Sequence, residues 1–471
     1  MSKKFYITTT LPYVNADPHI GFALEIIQAD VIARYHRLLG EEIIFNFGTD
    51  EHGLKVYRKA LESGKSPQEY CDEYAAKWSR LKEALNLSYT NFIRTTDKHH
   101  IKAANEFWKR CFDNGDIYKK IYKTKYCVGC ELEKTDSELE SGRCPIHPNL
   151  ELEIFEEENY FFCFSKYQNR LLEFYDQNPN FVIPESKFNE IKSFVRAGLK
   201  DFSISRLKKK MPWGIDIPGD PEQVMYVWFD ALINYISTLG WPKKIKVFEE
   251  FWPGIQVAGK DNLRQQTAIW QAMLMAAGLP NSRQVFIHGF ITLDNQKISK
   301  SLGNIIDPFE IVEKYGTDAV RYYLLREIPA FGDGDFSMQR FKELYNADLA
   351  NGLGNLVARV AAMAQKAELE FKVADKKIDP SVSAALGLYD FNRALGLIWE
   401  KIKEADLLIN KKMVWQLEGI KKKKELTNLA GQIKQIAVDL QPFLPETAEK
   451  IQKQFSAPKI KSEKPLFPRI E

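Results

Sequence analysis

The N-terminal stretch Phe5–Gly48 constrains the fold more than any other part of the chain. Phe5–Thr10 is a β-branched and aromatic run that reads as a buried strand. Pro12, Asn15, Asp17 and Pro18 turn the chain, and from Gly21 the apolar positions Leu24, Ile27, Val31 and Ala33 recur at helical spacing. Glu42–Phe47 is a second strand, ending at Gly48. Strand, helix and strand in that order predict a βαβ unit and a parallel sheet, hence an α/β fold. Such sheets take ligands at the carboxyl ends of their strands, which makes Thr10–His19 and Gly48–His52 candidate site loops.

A second α/β block runs from about Gln223 to Arg326. It has short strands at Gln256–Ala258 and Val285–His288 and a helix over Leu263–Ala277. Between the blocks, Tyr126–Glu158 is acidic and rich in cysteine, and reads as an insertion. Beyond Asp348 the periodicity turns helical through Leu349, Leu353, Leu356 and Val360. Further helices are predicted over Ala394–Ile409 and Leu426–Leu440, making an α-helical domain. No internal repeat is evident, and the one low-complexity run is Lys421–Lys424. A chain of 471 residues accommodates two to four such units.

A net charge of +3 excludes nucleic-acid binding by bulk charge but leaves room for a local basic surface. The two lysines near the start precede no apolar run, and no stretch is long and apolar enough to span a bilayer, so neither a signal peptide nor a membrane helix is expected. Six cysteines are too few for a disulfide framework in a chain of this length. Their clustering points to metal in a reducing, cytoplasmic setting.

Three motifs carry chemistry. His19-Ile20-Gly21-Phe22 sits between strand and helix, where Gly21 admits close approach and the helix N-terminus favours an anion. A histidine there can donate to phosphate oxygens, although a histidine starting a helix is the ordinary reading. Lys297-Ile298-Ser299-Lys300-Ser301 places two ammonium groups around a serine in a polar loop, which suits a polyphosphate and equally suits a solvated loop. Cys127-x-x-Cys130 and Cys144-x-x-His147 form two knuckles of a tetrahedral zinc site. Four protein ligands close the coordination sphere, so the zinc would be structural. Cys71, Cys111 and Cys163 have no such pairing and are expected as core thiols.

The first two motifs in this order resemble the paired signatures of class I aminoacyl-tRNA synthetases. Thr10-Leu11-Pro12-Tyr13, Gly48-Thr49-Asp50-Glu51-His52-Gly53, Tyr226-Val227-Trp228-Phe229-Asp230-Ala231 and Gly259-Lys260-Asp261 narrow the resemblance to the methionyl-tRNA synthetase family. The likeness extends from Phe5 to Leu466-Phe467-Pro468-Arg469-Ile470, and the single zinc knuckle matches one subgroup.

The resemblance implies a Rossmann-like catalytic domain in two halves, 1–116 and 223–290. A connective insertion, 117–222, would carry the zinc knuckle at about 126–148, a second-signature and stem-contact region would span 291–345, and a helical anticodon-binding domain 346–471. It implies that ATP with Mg2+ and methionine give methionyl-adenylate and pyrophosphate, and that methionine then passes to the 3' end of tRNA(Met). His19, Lys297 and Lys300 would stabilise the phosphates, with Gly21, Phe22, Gly259, Asp261 and Ser299 lining the ATP site. Leu11, Tyr13, Asp50, Trp228, Ala231, Tyr235 and Gln266 would form the methionine pocket, with Asp50 on the ammonium. Seven positions separate Trp228 from Tyr235, so on a helix they share one face, as two core aromatics also would. Asn355, Arg359 and Trp415 would meet the anticodon, the first two on one helix face. The family's dimerising C-terminal domain has no counterpart here, so a monomer is expected.

The chain departs from the family pattern at four places. Phe22 replaces a second signature histidine, Ile298 a methionine, Gln265-Gln266 a Phe-His pair, and Val414 a proline. Gln266 retains a donor for a thioether. Two other readings stay open: a nucleotidyltransferase without tRNA, and an RNA-binding protein that has lost catalysis. Between Tyr126 and Gln223 there is too little chain for the editing insertion of the valine, isoleucine and leucine ligases. From Asn346 to Glu471 there are 21 Lys and Arg against 16 Asp and Glu, so the small net charge conceals a basic bias in the helical domain.

Overall fold

The computed structural model describes residues 2–134, 138–297, 306–370, 376–456 and 459–470. At its centre lies a six-stranded parallel sheet in the order Asn91–Arg94, Glu42–Thr49, Lys4–Thr9, Ile255–Gly259, Gln284–His288, Val182–Ile183. Successive strand residues face opposite sides, and here both sides are apolar. Phe5, Ile7, Val257 and Phe286 enter one core, while Tyr6, Ala258, Val285 and Ile287 enter the other. Two-sided burial is why these strands are rich in β-branched and aromatic residues without a polar face. The helix Ile20–Leu38 closes the first face, burying Leu24, Ile27 and Val31.

The chain leaves the strand Lys4–Thr9 toward Glu42–Thr49 on one side and later returns at Ile255–Gly259 on the other. Strand order therefore reverses beside Thr9, and the crevice outside the strand ends opens there.

The segment 117–222 does not stand wholly apart from this sheet. Val182–Ile183 adds its sixth strand, and Leu171, Tyr175, Phe188, Ile191 and Val195 complete the second core. The projecting part is the antiparallel pair Ile117–Cys127 and Glu153–Phe162 with the cysteine loop between them. The helix expected over Leu263–Ala277 is a π-helical stretch, Gln265–Ile269, running into Trp270–Ala276. Thr267 Oγ1 donates to the Leu263 carbonyl at 2.5 Å and Gln271 Nε2 to the Gln266 carbonyl at 2.8 Å. Side chains thus take carbonyls that a regular helix would use. Cys71 and Cys111 are buried as expected, but Cys163, in the turn after Glu153–Phe162, is only half-buried and is not a core thiol.

The helical region contains Asn355–Lys366, Pro380–Gly387, Phe391–Lys411, Gly419–Leu440 and Pro445–Gln454. It shares the first core with the sheet through residues such as Leu356, Ile398 and Leu429. Arg321 pins the two parts together. It is fully buried, pairs with Asp30 at 2.8 Å, and donates to the carbonyls of Leu85, Pro442 and Phe443. Among the described residues no helix is long and apolar enough to cross a membrane.

Candidate active site

The loops after the first two strands lock together at the crevice. The Asp50 amide donates to the Pro12 carbonyl at 2.9 Å and the Val14 amide to the Asp50 carbonyl at 3.2 Å. This pairing sets Leu11 and Tyr13 beside Asp50. The Asp50 carboxylate is 3% exposed, and its Oδ1 has no hydrogen-bond partner among the described residues. Burial, followed by the carboxylates of Asp230, Glu131 and Glu51, pushes its pKa well above the usual range. An anionic group in such a place wants a cation.

Aromatic walls flank this carboxylate. Trp228 packs edge-on against Tyr13 with ring centroids 6.3 Å apart, and neither the Trp228 indole N–H nor the Tyr13 hydroxyl has a partner among the described residues. Ala231 ends the same short helix, Val227–Ala231. Tyr235 belongs to a second helix, Asn234–Ser237, so the one continuous helix expected through Trp228 and Tyr235 is interrupted. Asn234 Nδ2 donates to the Ala231 carbonyl at 2.7 Å, a side chain competing for the helix ladder. Gln266 is buried behind Tyr235. It donates Nε2 to the Tyr235 hydroxyl at 2.7 Å and accepts from Gln256 Nε2 at 2.9 Å. One of its two amide hydrogens is therefore already committed, and its nearest effect is on Tyr235.

His19 caps the helix Ile20–Leu38 in an extended conformation. A Cβ on Gly21 would lie 3.1 Å from His19 Nδ1, so a side chain there would crowd the ring. Phe22 follows in the first turn of this helix and is partly buried. Its ring packs against Trp78 and Phe47 at 5.0 and 5.7 Å, and its amide donates to the His19 carbonyl. That ring lies at the edge of the first core. Gly259 ends its strand where a Cβ would lie 2.8 Å from Asp261 Oδ1. Restricted hydration and the Glu25 carboxylate raise the Asp261 pKa. Lys297 ends the short strand Gln296–Lys297 that pairs with Ile291–Leu293. Ser299 and Lys300 lie outside the described residues.

Two buried carboxylate–histidine groups, absent from the expected set, support these loops. Glu25 accepts the Thr10 amide at 2.8 Å and the Thr10 hydroxyl at 2.5 Å through Oε1, and faces His288 Nε2 at 3.0 Å through Oε2. The other ring nitrogen of His288 faces the Gly289 carbonyl at 2.7 Å. Burial alone would lower the His288 pKa, but Glu25 and that carbonyl outweigh it, so the pKa is raised. The second group joins Asp230 to His52 and His100 at 2.6 and 2.7 Å. His52 and Asp230 lie inside motifs the sequence displays, whereas nothing local marks Glu25, His100 or His288.

Cys127, Cys130, Cys144 and His147 converge, with their ligand atoms all within 4.8 Å of one another. Cys130 Sγ lies 3.5 Å from Cys144 Sγ and 3.2 Å from His147 Nδ1. Tetrahedral zinc with bonds of about 2.3 Å to sulfur needs ligand separations near ~3.7 Å, so the donor set fits. A Cβ on Gly129 would lie 2.6 Å from the His147 ring, so glycine is needed for the knuckle to close.

On the helical region, Asn355 is exposed on Asn355–Lys366, one turn from Arg359. Arg359 pairs with Asp406 at 2.5 Å and donates to Asn410 Oδ1 at 3.0 Å, so its guanidinium is held in place. Trp415 is 46% exposed on the turn Val414–Gln416, anchored by buried Val414. Lys421–Lys424 open the next helix beside it.

The family model described as "tRNA synthetases class I (M)" matches residues 5–153 and 149–361. The chain is similar to the methionine–tRNA ligase of Thermosynechococcus vestitus, 50% identical over 372 residues that cover 78% of this chain and 70% of that one. It is similar to that of a Nostoc species, 42% identical over 477 residues covering 96% and 90%. In structure it resembles Mycobacterium tuberculosis methionyl-tRNA synthetase bound by methionyl-adenylate. The TM-score is 0.90 at 34% identity, covering 100% of this chain and 99% of that one.

Proposed function

The chain belongs to the methionyl class of class I tRNA synthetases, which join methionine to tRNA with ATP, and on that premise we propose which of its residues do so. The observation that carries the reading is Asp50, a buried carboxylate at the carboxyl end of a central parallel strand, with an oxygen that has no partner among the described residues. The methionine ammonium takes that oxygen, and its side chain lies between Tyr13, Trp228, Ala231 and Tyr235, beside Leu11. Gln266 orients the Tyr235 hydroxyl, whose proton then serves the thioether sulfur.

The methionine carboxylate attacks the α-phosphate of Mg2+-bound ATP, forms the adenylate and expels pyrophosphate. No enzyme nucleophile is needed, so catalysis is positioning and charge stabilisation. His19 meets the phosphates across Gly21, and Lys297 and Lys300, with Ser299, hold the β- and γ-phosphates as charge moves onto pyrophosphate. Asp261, beside Gly259, accepts from the ribose diol. The terminal tRNA hydroxyl then attacks the adenylate carbonyl and releases AMP.

Cys127, Cys130, Cys144 and His147 hold one structural zinc, which closes the knuckle and takes no part in the reaction. Three thiols ready for metal fit a reducing, cytosolic setting. Asn355, Arg359 and Trp415 read the anticodon, with Lys421–Lys424 facing its phosphates.

A structure with methionine and a non-hydrolysable ATP analogue tests this reading. The ammonium is expected within hydrogen-bond distance of Asp50 Oδ1 and the thioether against Tyr235. An ammonium bound elsewhere would overturn the pocket.

A further inference from the structure

The Asp230 carboxylate bonds to none of the side chains assigned to substrate, yet it connects three of the elements that carry the amino-acid pocket. It is fully buried. Oδ2 lies 2.6 Å from His52 Nδ1, two residues beyond Asp50 on the same loop. Oδ1 lies 2.7 Å from His100 Nε2, on the helix Lys98–Asp113. The other nitrogen of His100 lies 2.9 Å from Ser237 Oγ, on the helix that bears Tyr235. Asp230 itself belongs to the helix of Trp228 and Ala231. One carboxylate thus ties the Asp50 loop, which is distant in sequence, to the Trp228–Ala231 helix and, through His100 and Ser237, to the Tyr235 helix, beyond the local bonds between those two helices.

The chemistry of this junction is specific. Each histidine donates one N–H and each carboxylate oxygen takes one, so neither oxygen is left to solvent or ligand. Burial would raise the Asp230 carboxyl, but the two histidines outweigh it and hold it below the ordinary range. Asp230 therefore stays anionic and keeps both bonds. Fixed, fully partnered polar groups of this kind hold neighbouring side chains in a single geometry.

We infer that Asp230 is a positioning residue for amino-acid recognition: through His52 and His100 it sets the separation of Asp50 from Trp228 and Tyr235. The inference rests on the assignment of the ammonium to Asp50. ATP is expected on the other side of the crevice, at His19, Gly259 and Asp261, so the consequence is selective. Losing the junction weakens methionine and spares ATP.

The test is equilibrium binding of methionine and, separately, of ATP to the full chain. Variants are Asp230→Asn, His100→Gln, His52→Gln and Asp50→Asn, with thermal melting recorded for each. Asp230→Asn replaces one acceptor oxygen with a donor facing a histidine N–H and breaks one of the two bonds. A lost hydrogen bond to a buried charged group is worth ~10- to 100-fold, so methionine binding should weaken by up to that factor while ATP binding holds. The glutamine variants keep a donor amide and should lose less. Should Asp230→Asn fail to fold, the two glutamine variants carry the comparison.

Methionine binding unchanged in Asp230→Asn, with Asp50→Asn strongly impaired, would overturn the positioning role and leave the pocket standing. Methionine binding unchanged in Asp50→Asn would overturn the pocket itself. Equal losses of methionine and ATP, with a fall in melting temperature, would make Asp230 a general stability residue and refute the inference.

Discussion

Asp50→Asn keeps the size of the side chain and removes its charge. In the free protein the carboxylate is costly to hold, because it is buried near Asp230, Glu131 and Glu51 and its Oδ1 lacks a partner among the described residues. A bound ammonium relieves that cost and gains a partner of its own. Removing one member of a buried charge pair costs about 3–5 kcal/mol. Part of this is offset here, since the amide is easier to bury than the carboxylate in the free state. The lower figure, about 3 kcal/mol, corresponds to a loss of roughly 100-fold or more in methionine affinity.

The assay is the methionine KM in ATP–pyrophosphate exchange at saturating ATP, with equilibrium methionine binding alongside it. The pH dependence supplies an independent check. The Asp50 pKa is raised, so the wild-type carboxylate protonates as pH falls through that raised value, and methionine affinity should fall with it. The Asn variant should lack this limb. A methionine KM within about threefold of wild type, where a buried pair should be worth far more, would refute the reasoning.

Three further outcomes are expected. Lys300→Ala should slow exchange by ~100-fold or more, as removal of a transition-state charge partner does, while tRNA binding persists; exchange at the wild-type rate would remove the lysine from the phosphate site. Gly129→Ala places a Cβ 2.6 Å from the His147 ring, so metal analysis should show zinc falling below one per chain, and full occupancy would contradict the knuckle geometry. His288 has a raised pKa beside Glu25, so its contribution to stability is complete below the unfolded value of about 6.5 and is lost as pH rises through the folded value. Melting temperature followed upward from pH 6 should show that decline in the wild type and not in His288→Gln; parallel profiles would show that the imidazolium contributes nothing.

The strands around the crevice were legible because two-sided burial favours runs of β-branched and aromatic residues, as in Phe5–Thr10. The Cys3His cluster was legible because its four members come in two short-range pairs, a spacing that suits tetrahedral metal. The pocket loops could be named from their motifs, and the structure adds the backbone bonds between Asp50 and the Pro12–Val14 stretch that join them.

What escaped the sequence depends on tertiary proximity. His100 meets Asp230 from 130 residues away, and His288 meets Glu25 across 263. No periodicity or spacing reports such pairs. Local chemistry also overrode pattern. Asn234 interrupts the helix that the Trp228–Tyr235 spacing allowed, and Thr267 opens the π-helical stretch within Leu263–Ala277. Phe22 stands in the first motif, and its partly buried ring packs against Trp78 and Phe47, contacts that no spacing reports.

The central claim is that this crevice activates methionine. Its most direct test is ATP–pyrophosphate exchange by the purified chain, measured with methionine and with leucine, isoleucine, valine and norleucine in parallel. Exchange that depends on methionine, with the other amino acids far behind, is the expected result. Exchange with none of them would contradict the account and leave a protein that binds tRNA without activating an amino acid.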